Sequence, residues 1–126
     1  MTVQQTLFTT LSTDGDVGPL VANSSSPVTH RIYPDRAPDN VSTPYIVYTV
    51  VGERRGVVFN DVEGIAEYII QLDVWGTSAS ACAALAAHVV DAVNTGMKLT
   101  EVFNPGSQID PDVDFYRYIL QLTVWE

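Results

Sequence analysis

Apolar residues recur every fourth position at the start of the chain, where Val3, Leu7 and Leu11 fall on one line with Phe8 beside Leu7. That spacing predicts a short amphipathic helix over residues 2–12. Asp14-Gly15-Asp16 is expected to end it through a left-handed glycine. Val17 to Val21 reads as a short apolar piece broken by Gly18-Pro19, and Asn23 to Pro27 as a turn. Val28 to Tyr33 is a short β-type run that stops at Pro34. Pro34, Pro38 and Pro44 hold the next stretch extended or turning. Tyr45 to Val51 is seven strand formers in a row, a strand buried on both faces or covered by a helix.

Residues 52–64 carry charges and three glycines and read as a hairpin-like connection, an exposed mobile arm. From Ile65 to Trp75 the period changes to two. Ala66, Tyr68, Ile70, Leu72 and Val74 form a wholly apolar face, which belongs to the core. Ile65, Glu67, Ile69, Gln71, Asp73 and Trp75 form the other. Gly76 breaks the strand, and Thr77 or Ser78 caps a helix through about Asn94. Its stripe is Leu85, Val89 and Val93 with Ala81, widened by Ala86 and Val90. Six alanines between 79 and 87 keep it slim enough to lie close on a sheet. Asn94-Thr95-Gly96 closes it. Residues 97–103 alternate as a strand, Asn104 to Asp112 form a turn-rich loop with two prolines, and Phe115 to Trp125 is a final strand.

Tyr68-Ile-Ile-Gln-Leu-Asp-Val-Trp75 recurs as Tyr118-Ile-Leu-Gln-Leu-Thr-Val-Trp125, identical at six of eight positions. The flanks do not repeat, so this is no solenoid array. Two strands of one sheet under a shared requirement explain it, with Tyr118, Leu120, Leu122 and Val124 on the core face and Gln121 and Trp125 on the other. Tryptophans on an otherwise polar face point to a face that something covers. Together these elements predict an α+β fold: a mostly antiparallel sheet packed with an N-terminal helix and one longer Ala-rich helix at about 78–94.

With 126 residues the chain reads as one domain, 1–126, large enough to stand without a disulfide or metal. The net charge is −9, from 15 acidic and 6 basic residues. The cations (Arg31, Arg36, Arg54, Arg55, Lys98 and Arg117) form no basic stripe, which argues against a phosphate-backbone binder. Acidity serves solubility, or makes a surface past which DNA slides without sticking. Cys82, the one cysteine, sits among small apolar residues and reads as a buried structural thiol. The N-terminus has no signal-peptide pattern, and Ala79 to Val93 is too short and too polar to span a bilayer. Residence in a cytoplasm is expected.

Catalytic chemistry is hard to find. His30 and His88 lack the three or four convergent ligands that a zinc site needs. Asp110-Pro111-Asp112-Val113-Asp114 superficially resembles a calcium loop, but Gln121 stands where a bidentate Glu is required, and a solvated turn fits better. No nucleophile elbow, dinucleotide-binding glycine motif or P-loop is present. The expectation is no catalytic residue, no cofactor and no metal. The arginines, prolines and aromatics of 31–48 read as loop rigidity plus core aromatics, or as an interface.

The order of these features carries a family resemblance. An N-terminal helix precedes Arg31-Ile32-Tyr33-Pro34, Pro38 and Pro44-Tyr45-Ile46-Val47-Tyr48. The strand Ile70 to Trp75 then leads directly into the helix Thr77-Ser78 to Val93. Over nearly the whole chain this resembles the tail-completion proteins of long-tailed phages, the group of tail terminators and tail-to-head joining proteins. The resemblance implies a structural virion protein, not an enzyme. It implies a homohexameric ring at the head-proximal end of the tail tube that ends tube polymerisation and joins tail to head. The implied partners are further copies of the chain, the tail tube protein and a head-completion or connector protein. DNA passes through without specific binding, no membrane is involved, and the place is the virion neck, with assembly in the host cytoplasm. Glu53, Arg54 and Arg55 of the expected arm, with Arg31 and Arg36, are the candidate subunit interface. A different neck component (a head-side stopper or minor capsid protein) and a small ligand-binding or enzyme domain are the alternatives.

Overall fold

The structure, a computed structural model, describes residues 2–24, 26–55, 66–110 and 115–125, with residue 55 and residues 106–110 described by backbone alone. The first helix, α1 (Val3–Thr13), opens on a capping box: Gln5 N donates to Thr2 Oγ1, and Thr2 N donates to Gln5 Oε1. Val3, Leu7 and Leu11 are its buried stripe, as the four-residue spacing requires. No left-handed glycine ends it. Asp14 takes an extended conformation, and its carboxylate accepts from the backbone N–H groups of Asp16 and Val17. Those bonds start a second helix, α2 (Val17–Val21), where a broken apolar piece was expected. Pro19 is tolerated because the first turn of a helix has no intrahelical use for its N–H.

One five-stranded sheet follows, in the order β1-β2-β3-β5-β4. Its strands are β1 (Ile32–Pro34), β2 (Tyr45–Arg55), β3 (Ala66–Gly76), β4 (Lys98–Asp110) and β5 (Phe115–Trp125). Only the β1–β2 pair is parallel; the rest is antiparallel, the α+β architecture expected from the element order. The two echo segments are direct neighbours. Ile70 faces Leu122, Gln71 faces Gln121 and Leu72 faces Leu120, so the repeat is the central pair of the sheet running in opposite directions.

Three further expectations need correction. β2 runs to Arg55, so the first residues of the expected arm are paired: Gly52 with Ile69, Glu53 with Tyr68, Arg54 with Glu67 and Arg55 with Ala66. A bulge between Val50 and Gly52 lets the strand continue through the glycine. The rest of the arm, 56–64, lies outside the described residues. Similarly, β4 extends through 104–110, where a loop was expected. Its register shifts between Phe103 and Gly106, so Asn104 and Pro105 sit in an irregularity of an edge strand, a place that tolerates proline. Residues 111 and 112 lie outside the described residues.

The third correction concerns α3 (Ala79–Gly96), capped by Ser78 Oγ accepting from Ala81 N. Cys82, not Ala81, begins its buried stripe, which continues through Leu85, Ala86, Val89, Ala92 and Val93. The helix closes at Gly96 as expected, though with extended Met97 as its cap and no left-handed glycine. A Cβ at Gly96 would come within 2.7 Å of Thr10 Cγ2, so this glycine permits the close approach of α1 to α3.

All three helices lie on one face of the sheet. Leu7, Leu11, Val89 and Val93 meet Ile46, Ile70, Leu72, Val74, Leu122 and Val124 in one core. Each such aliphatic side chain contributes about 1.5–3 kcal/mol of burial. Among the described residues, no helix lies over the other face of the sheet.

Candidate assembly interface

The uncovered face is built row by row from strand register. Tyr45, Trp75 and Arg117 are direct neighbours across β2, β3 and β5. Below them come Val47, Asp73 and Ile119, then Thr49, Gln71 and Gln121 with Phe103 of β4. Arg54, Glu67 and Trp125 with Lys98 close the far end.

The first two rows are tied together. Tyr45 and Trp75 stack with ring centroids 6.0 Å apart and 15° between planes. Arg117 Cζ lies 5.5 Å from the Trp75 ring centroid, a cation–π contact, while Arg117 Nη2 donates to Asp73 Oδ2 at 2.7 Å. Gln71 Nε2 donates to the other carboxylate oxygen. Arg117 Nε is buried and finds no hydrogen-bond partner among the described residues. Residues 35–42 arch beside this end of the face. With Tyr45, Val47, Asp73, Trp75 and Phe115 they enclose an open groove of about 780 Å³. Asp35 and Asn40 shape that loop with positive φ, at 62° and 60°.

The face is electrically balanced in a chain of charge −9. Its cations are Arg54, Lys98 and Arg117, and its described acids are Glu67, Asp73 and Glu101. Arg54 reaches Glu67 at 3.2 Å, as Arg117 reaches Asp73. The helices and the α1–α2 corner, in contrast, carry Asp14, Asp16 and Asp91 and no Lys or Arg.

The four described side chains among the five candidates do not converge. Arg54 lies on the open face, whereas Glu53, in register with Tyr68, is on the helix-facing side. The side chain of Arg55 is outside the described residues. Arg31 turns inward, donating to the carbonyls of Pro44, Ala22 and Leu20 and to Asn23 Oδ1, so it braces the approach to β1. Arg36 is on the exposed loop, 3.9 Å from Asp39. Arg117 and Asp73 lie 44 residues apart, so no local pattern pairs them. The signal lay in the echo, because pairing its two copies puts Trp75 opposite Arg117.

Among the described residues no group of His, Cys, Asp and Glu is arranged to hold a metal ion. His88 Nδ1 is 3.8 Å from Asp16 Oδ2. Cys82 is buried, its thiol reaches the carbonyl of Tyr116, and burial pushes its pKa up. No helix among the described residues is long and apolar enough to cross a membrane.

The fold is shared with a chain in a solved structure titled "Virion of native gene transfer agent (GTA) particle". The two are 14% identical with a TM-score of 0.54, over 98% of this chain and 95% of that one. No curated protein matches the sequence. The family described as tail completion protein gp17 matches residues 5–126, and the chain belongs to this family of structural phage tail proteins.

Proposed function

We propose that the chain is the subunit of a ring, six copies around, that sits at the head-proximal end of a phage tail tube, ends tube polymerisation and joins tail to head. Family membership over residues 5–126 carries this reading. The uncovered sheet face supports it, since a face with aromatic side chains and balanced charge suits contact with other virion proteins. The tail tube protein and a head-side connector are the proposed partners, met in the host cytoplasm during assembly, and the role is architectural, not enzymatic. The helical layer, with acids and no Lys or Arg, suits a channel along which DNA moves without adhering.

Light scattering over a wide concentration range, with micrographs of the largest species, tests the reading. A six-membered ring with a hole wide enough for duplex DNA is expected, in isolation or on tails assembled without heads. A two-fold dimer at every concentration, together with tails that terminate normally when the chain is deleted, would sink it.

A further inference from the structure

Of the seven exposed large apolar side chains among the described residues, four fall into two groups on different sides of the fold, apart from Phe8, Val51 and Ile69. Val102 and Phe103 lie on β4, at one edge of the sheet, and are 44% and 48% exposed. Adjacent strand residues point to opposite faces. Val102, opposite Leu122, is therefore bare on the helix side, while Phe103, opposite Gln121, is bare on the open side. Between its two register shifts β4 has a regular stretch, 101–103, paired with β5 on one side. Such an edge, apolar on both faces, is a surface that proteins normally cover.

The second group, Leu20 and Val28, is 46% and 59% exposed and belongs to α2 and the segment leading to β1. That side of the sheet is already closed to strand addition along its approach. Asn23 N donates to Thr29 O, Arg31 N donates to Val21 O, and Pro34 has no N–H. Four gaps of about 4.8 Å separate the β1 and β4 edges, roughly 19 Å in all.

Resting on the ring reading above, we propose that the subunits join head to tail through these two surfaces. The β4 edge of one copy, led by Val102 and Phe103, seats against the flank bearing Leu20 and Val28 on the next copy. Two different patches on one chain make a heterologous contact, the kind that closes into a ring. Charge fits the same occupant. Copies of a −9 chain repel unless the apposed surfaces are neutral, and residues 17–29 and 102–109 contain no Asp, Glu, Lys or Arg. Two β4 edges meeting each other would instead give a two-fold dimer and no ring.

Val28→Cys and Phe103→Cys, made in separate chains and mixed, test this with a short bis-maleimide. Native Cys82 is buried and stays silent. The mixture should yield a cross-linked dimer, the chain carrying both substitutions should yield a ladder of linked species, and each single variant alone should stay unlinked. Phe103→Cys linking to itself overturns the proposal in favour of two-fold edge pairing. An unlinked mixture overturns it as well. The unsubstituted chain, free and on tails assembled without heads, then separates the two failures: a closed ring in either setting means that only the placement of the contact is wrong, and a two-fold dimer at every concentration with normal tail termination in its absence means that the ring reading fell with it.

Discussion

Removing the Asp73–Arg117 pair should cost more than a surface ion pair and less than a buried one. The two side chains are 14% and 30% exposed and meet at 2.7 Å. Unit charges about 4 Å apart attract by roughly 4 kcal/mol at an effective dielectric of 20. Desolvating the two groups cancels much of that gain. Exposed pairs retain about 0.2–1 kcal/mol, and breaking fully buried ones costs about 3–5 kcal/mol. Partial exposure places the coupling here at about 1.5 kcal/mol. Asp73→Ala should cost about 2 kcal/mol, because it strands a guanidinium whose Nε already has no partner among the described residues. At roughly 3–4 °C per kcal/mol, that lowers Tm by about 6–8 °C. The assay is a double-mutant cycle with Asp73→Asn, Arg117→Met and the double variant, unfolded in urea at low protein concentration and followed by Trp fluorescence. Trp75 reports directly, since Arg117 lies over its ring. The coupling should survive high salt, as screening acts mainly on exposed charges. A coupling below about 0.5 kcal/mol, or one abolished by salt, would refute the reasoning and leave the pair a solvated contact.

Three further outcomes are expected. Gly18→Ala should destabilise by about 1–3 kcal/mol, because its Cβ would meet the backbone oxygen of Ser12 at 2.6 Å and no side chain can yield; an unchanged denaturation midpoint would mean that the α1–α2 corner opens freely. Phe103→Asp should leave the monomer's unfolding within about 0.5 kcal/mol of the original, since the site is half exposed, yet abolish higher-order species in light scattering; loss of the fold itself would contradict its placement on a bare edge. Cys82 in the folded chain should resist thiol reagents at neutral pH and react at the rate of unfolding, because burial raises its pKa and hides the sulfur; rapid labelling of native protein would count against that burial.

The elements whose periodicity is local were legible in the chain. Val3, Leu7 and Leu11, the alternation from Ala66 to Val74 and the long apolar stripe of α3 each state which side is buried, because side-chain direction repeats every 3.6 residues in a helix and every two in a strand. What was misplaced depends on neighbours remote in sequence. Gly52 to Arg55 looked like an arm until β3 supplied ladder partners, and Asn104-Pro105 looked like a loop until an edge position made room for an irregularity. Gly96 ends its helix as its pattern suggests, but its second role, clearing space for Thr10, is invisible without the fold.

The candidate surface divides the same way. Composition gave a chain of −9 with six cations, and arginines were nominated for a contact because arginine favours interfaces. Only the folded chain decides that Arg31 is consumed by carbonyls inside it, and that Arg117 is held between Trp75 and Asp73. By itself the sequence determined most elements, their main core-facing stripes and the family. Tertiary structure decided strand order, which edge stays open and which charges cancel, because these follow from pairing and register between segments whose local patterns say nothing of each other.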